Sequence, residues 1–356
     1  MKGNDCFMPA RFCKSGLIAK HRINGPGQPH VVDGQAAGEQ SLARGDYARA
    51  MKELTVEARA GDARAQLDLG LLYLNGNGTG RDQLMAYRWL RQAAEKGLPE
   101  AQYQVGRLKM AGIGTDKNPQ EAADWYGKAT AAGNVEASEA LAHLYLDGVG
   151  VPKDEAQALH LLRPAAEKDV ISAQMTLGKM YQDGIGTPKS RNDAALWYRK
   201  AAQLGSPEGC YQLAMLLLNN GPDGTAPHPP SPQSVAAVRW LRAAVGQDYA
   251  PAQYELGLLH IGGIEATLDV SRGILLLQQA ADQGYAPALH RLGVIFAKGG
   301  MVAQDQGQGL MYLDLAVDLG DKSAQPERDA LAAQLPQAVQ QLSRRRAREW
   351  ADIHGT

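Results

Sequence analysis

Phenylalanine is nearly absent from this chain, with three copies among 356 residues, and aromatic residues together make up only 6%. Aromatic side chains usually supply much of the bulk of a compact core. This core must instead be assembled from small and medium side chains, and Ala, Leu, Gly and Tyr recur throughout. Cysteine is equally scarce: Cys6, Cys13 and Cys210 cannot make a disulfide framework. An excess of one charge is missing too. The formal net charge is −1, so no global field favours nucleic acid or an anionic membrane, and neither is expected as a partner. No apolar run reaches the roughly 20 residues of a membrane span. The N-terminus carries charges but no continuous apolar stretch of signal-peptide length. Neither Cys6 nor Cys13 follows the small-apolar triplet of a lipoprotein cleavage site. The expected location is the cytoplasm, with the periplasm or cell envelope as the alternative if the true start lies downstream.

Glycine, by contrast, is abundant at 40 copies. Each Gly inside a helix costs roughly 1 kcal/mol against Ala, so so many must be punctuating something. The stretch from Tyr73 to Asp82, YLNGNGTGRD, sets three glycines on alternate positions with a Thr and an Arg close by. That composition suits a phosphate cradle, but the cradle needs a strand before its glycines, and a helical pattern stands there instead. The loop also returns as AGIGTDKN, DGVGVPKD and DGIGTPKS, which a single nucleotide site does not require. These glycines read as joints through which the chain leaves a helix in left-handed conformation. Gly76 and Gly78 mark the repeated turn, and Gly80 belongs to this copy alone.

The recurrence extends far beyond the loop. AQLDLGLLYLNGNG from Ala65 reappears from Ala101, Ala137 and Ala173, with looser copies from Gly209, Ala252 and Ala288. These starts lie 36, 36, 36, 36, 43 and 36 residues apart. The long interval contains GPDGTAPHPPSP, a surface insertion of seven residues within 219–232 that leaves the register intact. Its PxxP spacings suit aromatic grooves only weakly, and a tolerated loop is the simpler reading. The first half of each unit places apolar residues at i, i+4, i+7 and i+8, one face of a helix. The second half carries A-x-x-W-Y/L-x-x-A-A-x-x-G, as in Ala86, Trp89, Leu90, Ala93, Ala94 and Gly97. Two such helices joined by a turn make an αα-hairpin. Gly70, Gly106, Gly178, Gly257 and Gly293 sit mid-helix and are expected where the partner helix crosses too closely for a Cβ. Ala142 and Ala214 take that place in two units and imply slightly wider crossings. The Trp and Tyr of the second helix are expected to fill the wedge between hairpins.

This pattern resembles the Sel1-like repeat, a relative of the tetratricopeptide repeat, over residues 65 to 323 as seven units. The resemblance implies an all-α fold, an α-solenoid in which Sel1-like hairpins stack into a right-handed superhelix. Residues 1–33 are expected to form a disordered tail, 34–62 a tetratricopeptide-like hairpin and 63–323 the seven units. Residues 324–343 are expected to close the stack with Pro336 interrupting, and 344–356 to form a basic tail. Pro164 should kink the second helix of its unit, and the glycines before Leu310 suggest a frayed second helix in the last one.

Chemistry is harder to find. Cys6, Cys13, His21 and His30 are spaced much more loosely than zinc modules. His143, His160 and His260 have no recurrent Ser or Cys beside them. Sel1-like proteins linked to β-lactam chemistry carry a Cys pair in each repeat, which this chain lacks. No catalytic residue, metal, cofactor or small-molecule substrate is expected. Four Arg from Arg344 to Arg348 most simply complement a helix dipole.

The informative variation lies on the first helices, in a stripe spaced i, i+4. It runs Leu67 and Leu71, Tyr103 and Arg107, Glu139 and His143, Met175 and Lys179, Tyr211 and Met215, Tyr254 and Leu258, and then His290. In tetratricopeptide-like superhelices the corresponding stripe lines the concave groove. Part of it can instead pack between neighbouring first helices. The exposed remainder would bind a protein or peptide partner, making the chain a scaffold or adaptor. An envelope assembly factor of the polysaccharide-secretion type is the alternative, followed by a hydrolase built on the solenoid.

Overall fold

The computed structural model describes residues 37–218, 232–262 and 269–355. The expected N-terminal tail, with Cys6, Cys13, His21 and His30, and nearly all of the proline-bearing insertion lie outside the described residues. Within them every regular element is helical, with no strand. The chain divides into two compact units, the first ending at Ala165 and the second beginning at Ala166.

Unit 1 begins with the hairpin α1 (Ala37–Ala43) and α2 (Tyr47–Ala60). It continues through α3 (Ala63–Asn75), α4 (Gln83–Glu95), α5 (Pro99–Ala111), α6 (Pro119–Ala131), α7 (Val135–Asp147) and most of α8 (Glu155–Glu167). Unit 2 holds α9 (Ile171–Asp183), α10 (Arg191–Gln203), α11 (Pro207–Leu218), α12 (Pro232–Val245), α13 (Ala250–Gly262), α14 (Val270–Asp282), α15 (Ala286–Lys298) and α16 (Gln306–Asp318). A 3₁₀ turn at Lys322–Ala324 leads to α17 (Gln325–Gln334) and α18 (Gln337–His354). From α1 to α7, and again from α9 to α16, each helix packs on the next in the chain, the short-range pattern of a solenoid.

The mid-helix glycines mark the close crossings. A Cβ on Gly106 would lie 2.5 Å from the Tyr126 ring, and one on Gly70 2.6 Å from Leu90. In α15 a Cβ on Gly293 would meet Leu313 at 2.7 Å and the Gly309 carbonyl at 3.1 Å. Ala142 and Ala214 are fully buried in the equivalent places. Trp125, Tyr126, Trp197 and Tyr198 are buried between helices, whereas Trp89 and Trp240 are half-buried.

The turn glycines do two separate jobs. Gly76, Gly112, Gly148 and Gly184 end first helices in left-handed conformation, each N–H donating to the carbonyl four residues back. The second glycine of the turn lies against the preceding hairpin. A Cβ on Gly78 would stand 2.5 Å from the Tyr47 carbonyl oxygen, and one on Gly150 would collide with the backbone of Pro119. Gly114 meets the Gln83 carbonyl in the same way.

A second joint was not read from the sequence. Gln66, Gln102 and Gln174 are buried, and each side-chain amide donates to a last-turn carbonyl of the preceding second helix. The acceptors are Ala58 at 3.0 Å, Ala94 at 3.3 Å and Ala166 at 2.9 Å. Each carbonyl already accepts from its own turn, from Gly61, Gly97 and Asp169, and the glutamine adds a second bond from the next hairpin.

Two expectations need correction. α16 is not frayed: it runs unbroken from Gln306 to Asp318, and Leu310 to Ala316 are all buried. Gly309 is there because a Cβ would meet the Ala297 amide nitrogen at 2.8 Å. The C-terminal segment is not a tail, since α18 continues through Arg344–Arg348 to His354 and packs on α16. Ser343 anchors it by donating to the Gly307 carbonyl at 2.8 Å, and Ala347 is buried. α8 runs as one helix from Glu155 to Glu167 with Pro164, the residue expected to kink it, inside.

Asp68 of α3 is buried with Arg64 as its ion-pair partner at 3.5 Å. Burial pushes its carboxyl from 3.8 up to about 6, with the Arg64 charge only partly opposing. Between those values the folded chain holds a proton that the unfolded chain has lost. The group's contribution to stability therefore falls as pH rises from about 4 to about 6. Asp68→Asn is expected to remove this loss and stabilise unit 1 at neutral pH, on the order of 1–2 kcal/mol. Melting curves at pH values below and above that window check it; an equal gain at both would separate the effect from titration.

Candidate functional site

On each first helix the residues one, five, six and eight places into the repeat face the neighbouring helices. In α5 these are Ala101, Val105, Gly106 and Leu108, all buried. The third and seventh places lie at the edge of that core, where Leu71, Tyr211, Met215, Tyr254 and Leu258 pack against it. Most of the stripe accordingly remains half-buried: Leu71, Tyr103, Arg107, Glu139 and His143 in unit 1, and Met175, Tyr211, Met215, Tyr254, Leu258 and His290 in unit 2. Lys179 is exposed. Leu67 departs from the expectation: at 2% exposure it packs with Leu90 and Val105 as core, which removes it from any docking surface.

In unit 1 the Tyr103 ring lies 5.8 Å from that of Tyr126, and the Arg107 guanidinium stands 5.8 Å from the Tyr103 centroid. Arg107 also donates to Gln104 at 3.2 Å. A cleft of about 600 Å³ opens between α6, α7 and the turn before α8, lined in part by Leu141, Tyr145, Val151 and Pro152. Its charged residues, Asp124 and Lys128, are exposed, and no pair of carboxylates or nucleophile beside a base lines it.

Unit 2 shows a regularity that the stripe alone missed. Three successive third-place residues meet the residue that closes their own repeat. Tyr211 pairs with Tyr249 at 5.7 Å between centroids, and Tyr254 with Tyr285 at 5.6 Å, edge to face. At the next step His290 Nδ1 lies 3.0 Å from Asp321. The signal for the partners was present as the string Tyr-Ala-Pro-Ala, at Tyr249 and again at Tyr285.

His290 is held on both sides. Its Nε2 contacts the Glu327 carboxylate of α17, while Asp321 and, at 3.4 Å, Ser323 Oγ share Nδ1. The ring thus ties α15 to the closing helices. The Ser323 hydroxyl donates to Asp321, and it stands 3.4 Å from a ring nitrogen that Asp321 already approaches at 3.0 Å. Among the described residues no group of three or more His, Cys, Asp or Glu could hold a metal ion, and no helix is long and apolar enough to cross a membrane.

The half-turn order of these helices matches known proteins. The family model for the Sel1 repeat matches seven consecutive segments, 63–98, 99–134, 135–170, 171–206, 207–249, 250–285 and 286–321. Those boundaries coincide with the starts of the first helices. A Sel1 repeat protein from Oxalobacter formigenes, solved by crystallography, is 28% identical over 83% of this chain and 87% of that one, with a TM-score of 0.65. The protective antigen c5321 of uropathogenic Escherichia coli strains is 24% identical over 86% and 80%, with a TM-score of 0.42. The immunity protein Pa5087 from Pseudomonas aeruginosa is 24% identical over 62% and 81%, with a TM-score of 0.38. No curated protein sequence matches the chain significantly. Seven hairpins in one register, matched over most of the chain, decide the family: this protein belongs to the Sel1 repeat family, a protein-interacting fold of tetratricopeptide-like architecture.

Proposed function

We propose that the protein is a non-catalytic scaffold or adaptor that holds a protein or peptide partner along the first-helix face, with Tyr211, Met215, Tyr254 and Leu258 of unit 2 as the main contact. One observation carries this reading. These large side chains pack against the core clusters from its edge and stay half-buried, so each leaves apolar surface exposed on the first-helix face. Tyr offers wide contact area with few degrees of freedom and Met an adaptable thioether, and both are enriched at protein interfaces. A face built from parallel helices at regular spacing suits an extended or helical segment.

The double substitution Tyr254→Glu and Leu258→Glu tests it. Both side chains are partly exposed, so helicity by circular dichroism is expected to survive. Affinity capture with mass spectrometry should lose the principal partner recovered by the unaltered chain. Recovery of the same partner in equal amount would overturn the proposal for this face.

A further inference from the structure

Glu255 lies on α13 beside Tyr254 and is half-buried. Among the described residues no hydrogen bond or ion pair reaches its carboxylate, although most charged groups of comparable burial in unit 2 have partners: Asp314 has Arg328, and Asp321 has His290. A carboxylate that loses water without gaining a partner is unfavourable. The groups around it are aromatic. Tyr211 from α11 packs on Tyr249, and Tyr254 from α13 packs on Tyr285, with the two ring pairs in successive repeats. The phenols of Tyr211, Tyr254 and Tyr285 are pushed up first by burial and then by the Glu255 charge, so the carboxylate lies within electrostatic reach of all three. Arg291 acts on Tyr254 but does not neutralise Glu255.

These features share one complement. Tyrosine faces are electron-rich and attract cations, and the isolated carboxylate has the same preference. An apolar guest would leave Glu255 as costly as before, and an anion would make it worse. Beyond the tyrosines Asp321 and Glu327 flank His290 on α15, with Arg291 next to it on the same helix.

We propose that the Glu255 carboxylate and the tyrosine pairs beside it together receive a cationic side chain, an Arg or Lys, of the bound polypeptide. The inference rests on the polypeptide-binding reading above and adds the chemistry of the anchor. A planar guanidinium could stack on a Tyr ring while its N–H groups donate to Glu255. Burial alone also pushes the Glu255 carboxyl up, and a bound cation would reverse that direction.

The test uses the full chain and a displayed library of random dodecapeptides, panned on the unaltered protein, on Glu255→Gln and on the Tyr254→Glu, Leu258→Glu pair. Peptides selected by the unaltered protein are expected to carry Arg or Lys at one fixed position, and Glu255→Gln should erase that preference. A synthetic copy of the best peptide should bind about tenfold more weakly once its Arg is replaced by uncharged citrulline. Selection of uncharged peptides equally by the unaltered protein and Glu255→Gln would overturn the cation anchor and leave the binding face intact. Failure to enrich any peptide above the doubly substituted chain would overturn both. Since the unaltered protein alone reveals the positional preference, a folding defect in Glu255→Gln would not blur the outcome; its melting curve is recorded alongside.

Discussion

Gly78→Ala is expected to destabilise unit 1 by about 2–4 kcal/mol, Gly76→Ala by about 1 kcal/mol, and Gly80→Ala by less than about 0.5 kcal/mol. Three glycines within five residues thus give three different answers. Gly78 has φ +73° and Gly76 has φ +77°, so both lose the conformational freedom that only glycine supplies cheaply. They differ in what the added carbon meets. At Gly76 it would lie 2.8 Å from Arg81 Cγ, part of an exposed, flexible side chain that can swing away. At Gly78 it would lie 2.5 Å from the Tyr47 oxygen and 2.7 Å from its carbonyl carbon. Backbone at the start of α2 cannot step aside, so the whole turn must lift from the preceding hairpin. At Gly80 nothing lies within 4 Å. Urea titrations of the three variants, followed by far-UV circular dichroism, should return that order. Equal losses at Gly76 and Gly78 would show that only the dihedral matters and that the turn does not dock.

Within helices the same residue type should give effects of opposite sign. Gly178→Val is expected to cost about 1–3 kcal/mol and Gly127→Ala to gain about 0.5–1 kcal/mol. A Cβ on Gly178 would run into the Tyr198 ring, with Cδ1 only 2.6 Å away. That ring is 2% exposed, and its hydroxyl donates to Gln182 at 2.9 Å, so moving it breaks packing and a hydrogen bond together. Gly127 is also mid-helix, in α6, but a Cβ there meets nothing within 4 Å. It carries the entropic cost of glycine without a steric reason. Thermal melts of the two variants against the unaltered chain measure both signs, and a neutral Gly178→Val would refute the close crossing of α9 and α10.

Much of this architecture was legible because the repeat period and the residue types agree across most copies. The mid-helix glycines could be assigned a mechanical role before any coordinates, since an unfavourable residue returning at the same place in five of seven units needs a reason that also returns. The misreadings have a common cause: a local signal was weighed without its packing partner. Gly307 and Gly309 looked like helix breakers, yet α17 and α18 cover α16 and hold it straight. The Arg cluster looked like a tail because α18 buries itself through Ser343 and Ala347, too small to give a strong apolar period. Tyr249 and Tyr285 fell outside the stripe because they precede the helices on which periodicity was counted. Glu255 was invisible for another reason. A single Glu on a helix is ordinary, and only the absence of a cation beside it in three dimensions sets it apart.

The buried glutamines give the chain a direction. Gln66, Gln102 and Gln174 each finish the helix that came before them, and Gln340 of α18 repeats the act on Ala332 at 2.8 Å. The acceptor carbonyls already hold a bond from their own turns, Ala58 from Gly61, Ala94 from Gly97 and Ala166 from Asp169, so the glutamine brings a second donor from the next hairpin. At these joints that donor is synthesised only after the hairpin it seals, so the added bond can form in one direction along the chain. Shortening the chain from its C-terminal side returns such a carbonyl to its own turn and to water, whereas trimming from the other side leaves a glutamine amide without its acceptor.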